Sequence, residues 1–188
     1  MGLPKRIVIH ELGPREGMQI EKNPIATSEK IRLVDMLSEC RFPEIEVTSF
    51  VSPKWVPQMA DAAEVLRQIE RAPGTRYTAL VPNLVGLERA LKAGVGEIAV
   101  FAAASETFSQ RNINHGIDAS LAIYREVCDQ ARAAGVNVRG YLSTAFGCPY
   151  EGVVSVEAVV QRTQQLLDLG VYRSEEHTSE LQSRETIS

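Results

Sequence analysis

With 188 residues, 44% of them hydrophobic and 23% charged, and a formal charge of −4, the chain has the makeup of one ordinary globular domain. That excludes a disordered or fibrous polymer, and the apolar runs are too short and interrupted to cross a membrane. The mild acidity leaves no footprint for nucleic acid or an anionic lipid surface, so neither is expected as a partner.

Taken in order, the chain alternates strand-like and helix-like segments. RIVIHEL from Arg6 reads as a first strand, followed by the charged loop GPREGMQIEKNP. Thr27 is then expected to cap a helix whose inner face is Ile31, Val34 and Leu37. EIEVTSF from Glu44 is a second strand, and Asp61 precedes a helix carrying Val65, Leu66 and Ile69. RYTALVP from Arg76 is a third; Asn83 opens a helix with Leu84, Leu87 and Leu91 that ends near Gly94. EIAVFAA from Glu97 is a fourth. Ile117, Leu121, Tyr124, Cys128 and Ala131 then step by four and three until Gly135. VNVRGYLS from Val136 is a fifth strand. After it Ser155 starts a helix whose Val156, Val159, Val160, Thr163, Leu166 and Leu167 are expected to pack in the core, up to Gly170. Val171 and Tyr172 would open a sixth strand.

The last segment, RSEEHTSELQSRETIS, has only Leu181 and Ile187 as large apolar residues and no periodicity. Its composition reads as a disordered tail, and it resembles the in-frame translation of a DNA-sequencing adapter. On that reading residues 1–172 are the native part, residues 173–188 are a non-native tail, and His177 is not a ligand or base. Without the tail 18 basic and 20 acidic residues remain, close to neutral. Cys40, Cys128 and Cys148 have no zinc-like spacing. With no secretion-type leader in MGLPKRIVIHEL, they are expected as free thiols in the cytoplasm.

Successive βα units imply parallel strands joined by right-handed crossovers. A dinucleotide fold wants G-x-G-x-x-G after its first strand, and GPREGMQ is not that. Polar residues recur instead where strands end: Arg15 and Glu16, Glu46 with Thr48 and Ser49, Asn83, Ser105 and Glu106, Ser143 and Thr144. A barrel keeps its chemistry there. The expected fold is therefore α/β, an incomplete (β/α)8 TIM barrel made of the first five units and the start of strand six.

Arg15 and Glu16, fixed behind Gly13 and Pro14, are the first candidates. A guanidinium there can steady a developing oxyanion while a carboxylate holds a divalent metal, although such a pair is also an ordinary surface ion pair. Glu46 lies between Ile45 and Val47 in an apolar strand, where a carboxylate needs a partner or a metal. Alternation would place Glu44, Glu46 and Thr48 on one face.

ELGPREGMQIEKN, EVTSFVSPKWVPQMAD, VPNLVGLERAL, ASETFSQRNIN and RGYLSTAFGCPYEG together closely resemble 3-hydroxy-3-methylglutaryl-CoA lyases, from about Lys5 to Tyr172. The resemblance implies retro-aldol cleavage of an acyl-CoA substrate to acetyl-CoA and a keto acid, with Mg2+ or Mn2+, in a protein that forms homo-oligomers at full length. It implies Arg15 as catalytic arginine, Glu46 as active-site glutamate, and Glu16 as catalytic residue and metal ligand. Gln19, Lys22, Ser49 and Asn112 fall in matching motifs and would line the pocket or the CoA arm. Trp55 is expected as a packed loop anchor, Cys148 as a structural thiol, His10 as interior packing and His115 as solvated. The family usually has aspartate at the place of Glu16; the extra carbon moves the oxygens by about 1.5 Å and implies an altered substrate or metal preference. The family's His-x-His ligands, a metal-binding asparagine and a Gly-rich cysteine loop would lie beyond Tyr172, so these residues by themselves are expected to be inactive. The rival readings are a Claisen-type acyltransferase of the same superfamily and a non-catalytic half-barrel module.

Overall fold

A computed structural model of the chain describes residues 7–177, with side chains as far as Tyr172. Arg6 and residues 178–188 of the polar tail lie outside the described residues. Contacts divide the chain into two compact units, one of residues up to Leu80 with 89–96, the other of 81–88 with Glu97 onward.

In the first unit β1 (His10–Glu11), β2 (Glu44–Ser49) and β3 (Arg76–Leu80) are parallel neighbours in chain order. Every residue of β2 is buried, as expected of a parallel strand covered on both faces. Helices α1 (Thr27–Glu39) and α2 (Ala62–Gln68) pack on β2 and give Val34, Val65 and Leu66 to the core around Ile45 and Val47. The ladder between β2 and β3 slips between Glu46 and Thr48. This bulge interrupts the alternation that would align Glu44, Glu46 and Thr48, and the Thr48 hydroxyl turns to Met59 Sδ at 3.6 Å.

Two expectations fail here. The first strand is His10–Glu11 rather than RIVIHEL, and Ile7 is 73% exposed. Since His10 pairs with Glu44, Ile9 would fall opposite Pro43, which has no N–H for a ladder bond. Thr27 is the first helical residue and Ala26 the cap; the Thr27 hydroxyl donates to Asp61 Oδ2 at 2.9 Å instead.

In the second unit β4 (Glu97–Ala103), β5 (Asn137–Ser143) and β6 (Arg173–His177) are again parallel and in chain order. Asn83 Oδ1 accepts from Gly86 N–H at 2.9 Å at the start of α3 (Leu84–Lys92), whose residues divide between the units. Ser155 Oγ likewise accepts from Ala158 N–H at 3.2 Å to start α6 (Val156–Asp168). Helix α5 (Ile117–Ala133) buries Ile117, Leu121, Tyr124, Cys128 and Ala131, the face expected from its spacing. Gly94 and Gly170 take φ of 76° and 82° just beyond the helices they end, the left-handed backbone a side chain disfavours.

Three differences stand out in this unit. Helix α4 (Glu106–Ile113) lies within ASETFSQRNIN, where too few apolar residues recur to signal a helix. On α6 only Leu166 is buried, while Val156 and Val160 are 72% and 61% exposed, so that list is not core packing. Its apolar arc is wider than the side that meets β5 and β6. The sixth strand begins at Arg173, not Val171, and so takes in residues assigned to the tail. The backbone of β5 offers its neighbour a ladder whatever the side chains, and Tyr172 N–H already reaches Val138 O at 3.0 Å.

Candidate active site

The loop after β1 is not a loose connection. Gly13–Gly17 closes a π-helical turn in which the Arg15 and Glu16 amides both donate to Leu12 O, at 3.0 and 2.8 Å. Glu11 Oε1 steadies the entry by accepting Gly13 N–H at 2.6 Å, and the turn packs against β2. π-Helical turns favour functional sites. The turn carries Arg15 inward, leaving it 5% exposed. Its Nε donates to Glu46 Oε1 at 2.5 Å, and its Nη1 pairs with the Glu16 carboxylate.

Glu46 is fully buried in mid-strand. Such a carboxylate is tolerated because it meets a planar cation with fixed donors. One guanidinium thus joins two carboxylates, and of these only Glu16, with a quarter of its side chain exposed, reaches toward solvent. Arg15, Glu16 and Glu46 are brought together, and not as a surface ion pair. Chemically the group offers a rigid cation for a developing oxyanion and one accessible carboxylate.

The other sequence candidates are placed less uniformly. Ser49 ends β2 fully buried, and its Oγ has no hydrogen-bond partner among the described residues. Gln19 is half-buried, with its Oε1 enclosed and likewise unpartnered. Lys22 is exposed on the segment that continues the Arg15 loop. Asn112, in the second unit, is exposed on the last turn of α4. Among the described residues no three His, Cys, Asp or Glu side chains come together to hold a metal. Glu16 could give one ligand, and one carboxylate alone does not make a divalent-cation site.

In the second unit the GCPYEG motif fastens the start of α4. Cys148 is buried; its Sγ accepts from the Ser105 hydroxyl at 2.9 Å and from Tyr150 N–H at 3.3 Å, so it is a structural thiol as expected. Glu151 Oε1 accepts from Thr107 N–H at 2.6 Å, and hydrogen bonds from Thr107 hold its carboxyl below the usual carboxylate range. Arg111 lies over the Tyr150 ring at 4.2 Å. On α5, burial pushes the Cys128 thiol up to about 11 and the Tyr124 phenol well above its ordinary range.

His115 is exposed, as expected, and His10 is interior, with Nδ1 at 3.7 Å from Glu44. Trp55 overturns its expectation: at 86% exposure it anchors nothing, and its motif is seated by buried Met59 instead. A second charged cluster was missed. Arg139 is buried on β5, its Nη2 at 3.3 Å from both Glu97 Oε1 and the Tyr172 hydroxyl, and that hydroxyl donates to Glu97 at 2.8 Å. Burial raises the Tyr172 phenol above its ordinary range. The signal was available: an arginine inside apolar VNVRGYLS poses the same question as Glu46 inside EIEVTSF.

A family model described as HMGL-like matches residues 6–175. The chain belongs to the HMGL-like family. It is 53% identical over 169 residues to the bovine mitochondrial hydroxymethylglutaryl-CoA lyase, a match covering 90% of this chain and 52% of that protein. To a Pseudomonas aeruginosa 3-hydroxy-3-isohexenylglutaryl-CoA/hydroxy-methylglutaryl-CoA lyase it is 54% identical, covering 92% and 57%. The chain spans about half the length of the curated relatives it matches. The crystal structure of the hydroxymethylglutaryl-CoA lyase from P. aeruginosa aligns with TM-score 0.90 and 53% identity, over 94% of this chain and 59% of that one. An Acinetobacter baumannii HMG-CoA lyase in complex with coenzyme A and 3-methylmalate aligns with TM-score 0.86 and 36% identity, over 90% and 55%. The fold class is accordingly α/β, an incomplete (β/α)8 barrel. Among the described residues no helix is long and apolar enough to cross a membrane.

Proposed function

We propose that the full-length protein is a carbon–carbon lyase that splits 3-hydroxy-3-methylglutaryl-CoA, or a related 3-hydroxyacyl-CoA, into acetyl-CoA and a keto acid, acetoacetate in the first case. A base takes the proton of the tertiary hydroxyl, and that oxygen becomes a carbonyl as the adjacent C–C bond breaks. The bond's electron pair passes to the departing acetyl-CoA as its enolate, which is then protonated. Arg15 steadies the enolate oxygen, Glu46 fixes the guanidinium from behind through Nε, and Glu16 faces the reacting hydroxyl and gives one ligand to Mg2+ or Mn2+. Gln19 and Ser49, with enclosed oxygens that want partners, line the acyl pocket, and Lys22 meets the CoA arm; Asn112 is a CoA-binding residue on the strength of its matching motif alone. The protein acts as a cytoplasmic homo-oligomer, and the 188-residue chain alone is inactive.

The observation that carries this reading is the buried Arg15, held between Glu46 and Glu16 after the first strand of a chain about half identical to such lyases. The test is acetyl-CoA release by the full-length protein from the methylglutaryl and isohexenylglutaryl thioesters. Cleavage that falls by a factor of about 100–1000 in Arg15→Gln is expected. Wild-type protein that cleaves neither thioester, or an Arg15→Gln variant as fast as wild type, overturns it. An unchanged preference for the methylglutaryl substrate removes the altered selectivity expected from Glu16.

A further inference from the structure

The loop that carries Arg15 runs on through Gln19 to Lys22, and from there to Ala26 the backbone is neither helix nor strand. Backbone amides and carbonyls without a ladder still need partners. Here one side chain supplies them. Gln58 Oε1 accepts from Ile25 N–H at 3.0 Å, while its Nε2 donates to Asn23 O at 2.8 Å and Glu21 O at 3.2 Å. A side-chain amide has an acceptor and two donors, so it grips an extended segment as a neighbouring strand would. The grip flanks Lys22 on both sides.

Gln58 is itself held. It lies in a short 3-10 turn, Pro57–Met59, seated by buried Met59, and its carbonyl accepts from the Lys30 ammonium. Lys30 is buried and donates to Asp61 at 2.8 and 2.9 Å, and Asp61 also takes the Thr27 hydroxyl. A buried lysine with a carboxylate partner is a fixed point, because pulling it away strands a charge. The chain of contacts therefore runs from a rigid ion pair through Gln58 to an irregular segment bearing an exposed cation.

We infer that Gln58 is a positioning residue, which sets the place of the Lys22 ammonium for the phosphates of an acyl-CoA. This rests on the proposed function and adds a residue that touches neither substrate nor reacting atoms. The amide bonds of Gln58 fall on Glu21, Asn23 and Ile25, around Lys22, so its loss falls on binding of the CoA arm rather than on bond cleavage.

The experiment is a double-mutant cycle in the full-length protein. Gln58→Ala and Gln58→Glu are each made alone and with Lys22→Ala, with KM and kcat measured for the acyl-CoA. Glutamate keeps the size but has no donors for Asn23 O and Glu21 O. Each single Gln58 variant is expected to raise KM roughly five- to tenfold with kcat within twofold, the scale of one or two lost hydrogen bonds. In the Lys22→Ala background the same change should add less than twofold, because residues acting through one another are not additive. Full additivity in the cycle, or a fall in kcat with KM unmoved, overturns the inference while leaving the lyase reading intact. A wild-type protein that cleaves no acyl-CoA overturns the lyase reading instead, as a separate result.

Discussion

Glu46→Ala should destabilise the protein far more than Glu16→Ala, although both remove a carboxylate from the same guanidinium. Glu46 is fully buried, and the Arg15 side chain it holds is 6% exposed. Breaking a buried ion pair by deleting one partner costs roughly 3–5 kcal/mol. Arg15 keeps Glu16 at Nη1, so a cost at the low end, about 3 kcal/mol, is expected. Deleting Glu16, a quarter exposed, leaves the Glu46 contact in place and should cost about 1 kcal/mol or less. The double variant Arg15→Met, Glu46→Leu removes both buried charges at similar volume and should return to within about 1–2 kcal/mol of wild type. Its cleavage should nevertheless fall by a factor of about 100–1000 or more, since the oxyanion loses its cation. Urea unfolding followed by circular dichroism gives the stabilities, and acetyl-CoA release gives the activity. The reasoning is refuted if Glu46→Ala costs no more than Glu16→Ala, or if the double variant turns over as fast as wild type.

Two further outcomes follow from particular side chains. Cys128 is buried and its thiol is pushed up to about 11, whereas Cys40 is exposed; a disulfide reagent at pH 8 should therefore modify Cys40 within minutes and Cys128 only on unfolding, as peptide mass mapping would reveal. For Glu151, whose carboxyl is held below its ordinary value, the charged form is the one that favours the folded state. Its contribution is present above the unfolded-state value of about 4.3 and is lost as pH falls through the lowered folded value. The stability difference between wild type and Glu151→Gln should thus stay flat from pH 7 to 5 and shrink only below that; a difference that grows on acidification would contradict the assignment.

The pattern of strands and helices could be read from the sequence because strands buried on both faces read as short apolar runs and amphipathic helices write a local period. β2 to β5 follow from the runs, and the inner face of α5 from the period. Where the period ends, so does the reading. β1 fails because its ladder is cut by Pro43 on another segment, and α6 fails because apolar spacing says which residues share a face, not what covers it. Trp55 fails for the same reason: size and apolarity favour burial, but whether a loop tip is covered depends on chain that is distant in sequence.

Arg15 and Glu46 could be found because each violates its setting. A carboxylate in an apolar strand requires a partner or a metal, and here Arg15, aimed inward from a neighbouring strand end, supplies it. Gln58 violates nothing. A glutamine in a polar loop is ordinary, and its importance comes only from the 33 to 37 residues that separate it from the backbone it grips. The site is thus of two kinds, charges that the local sequence exposes as improbable and neutral supports that only the fold can reveal. The second kind complements the first on the proposed reading, because a guanidinium fixed by Glu46 is of little use to a long substrate unless the loop beyond it also holds the substrate's far end in register.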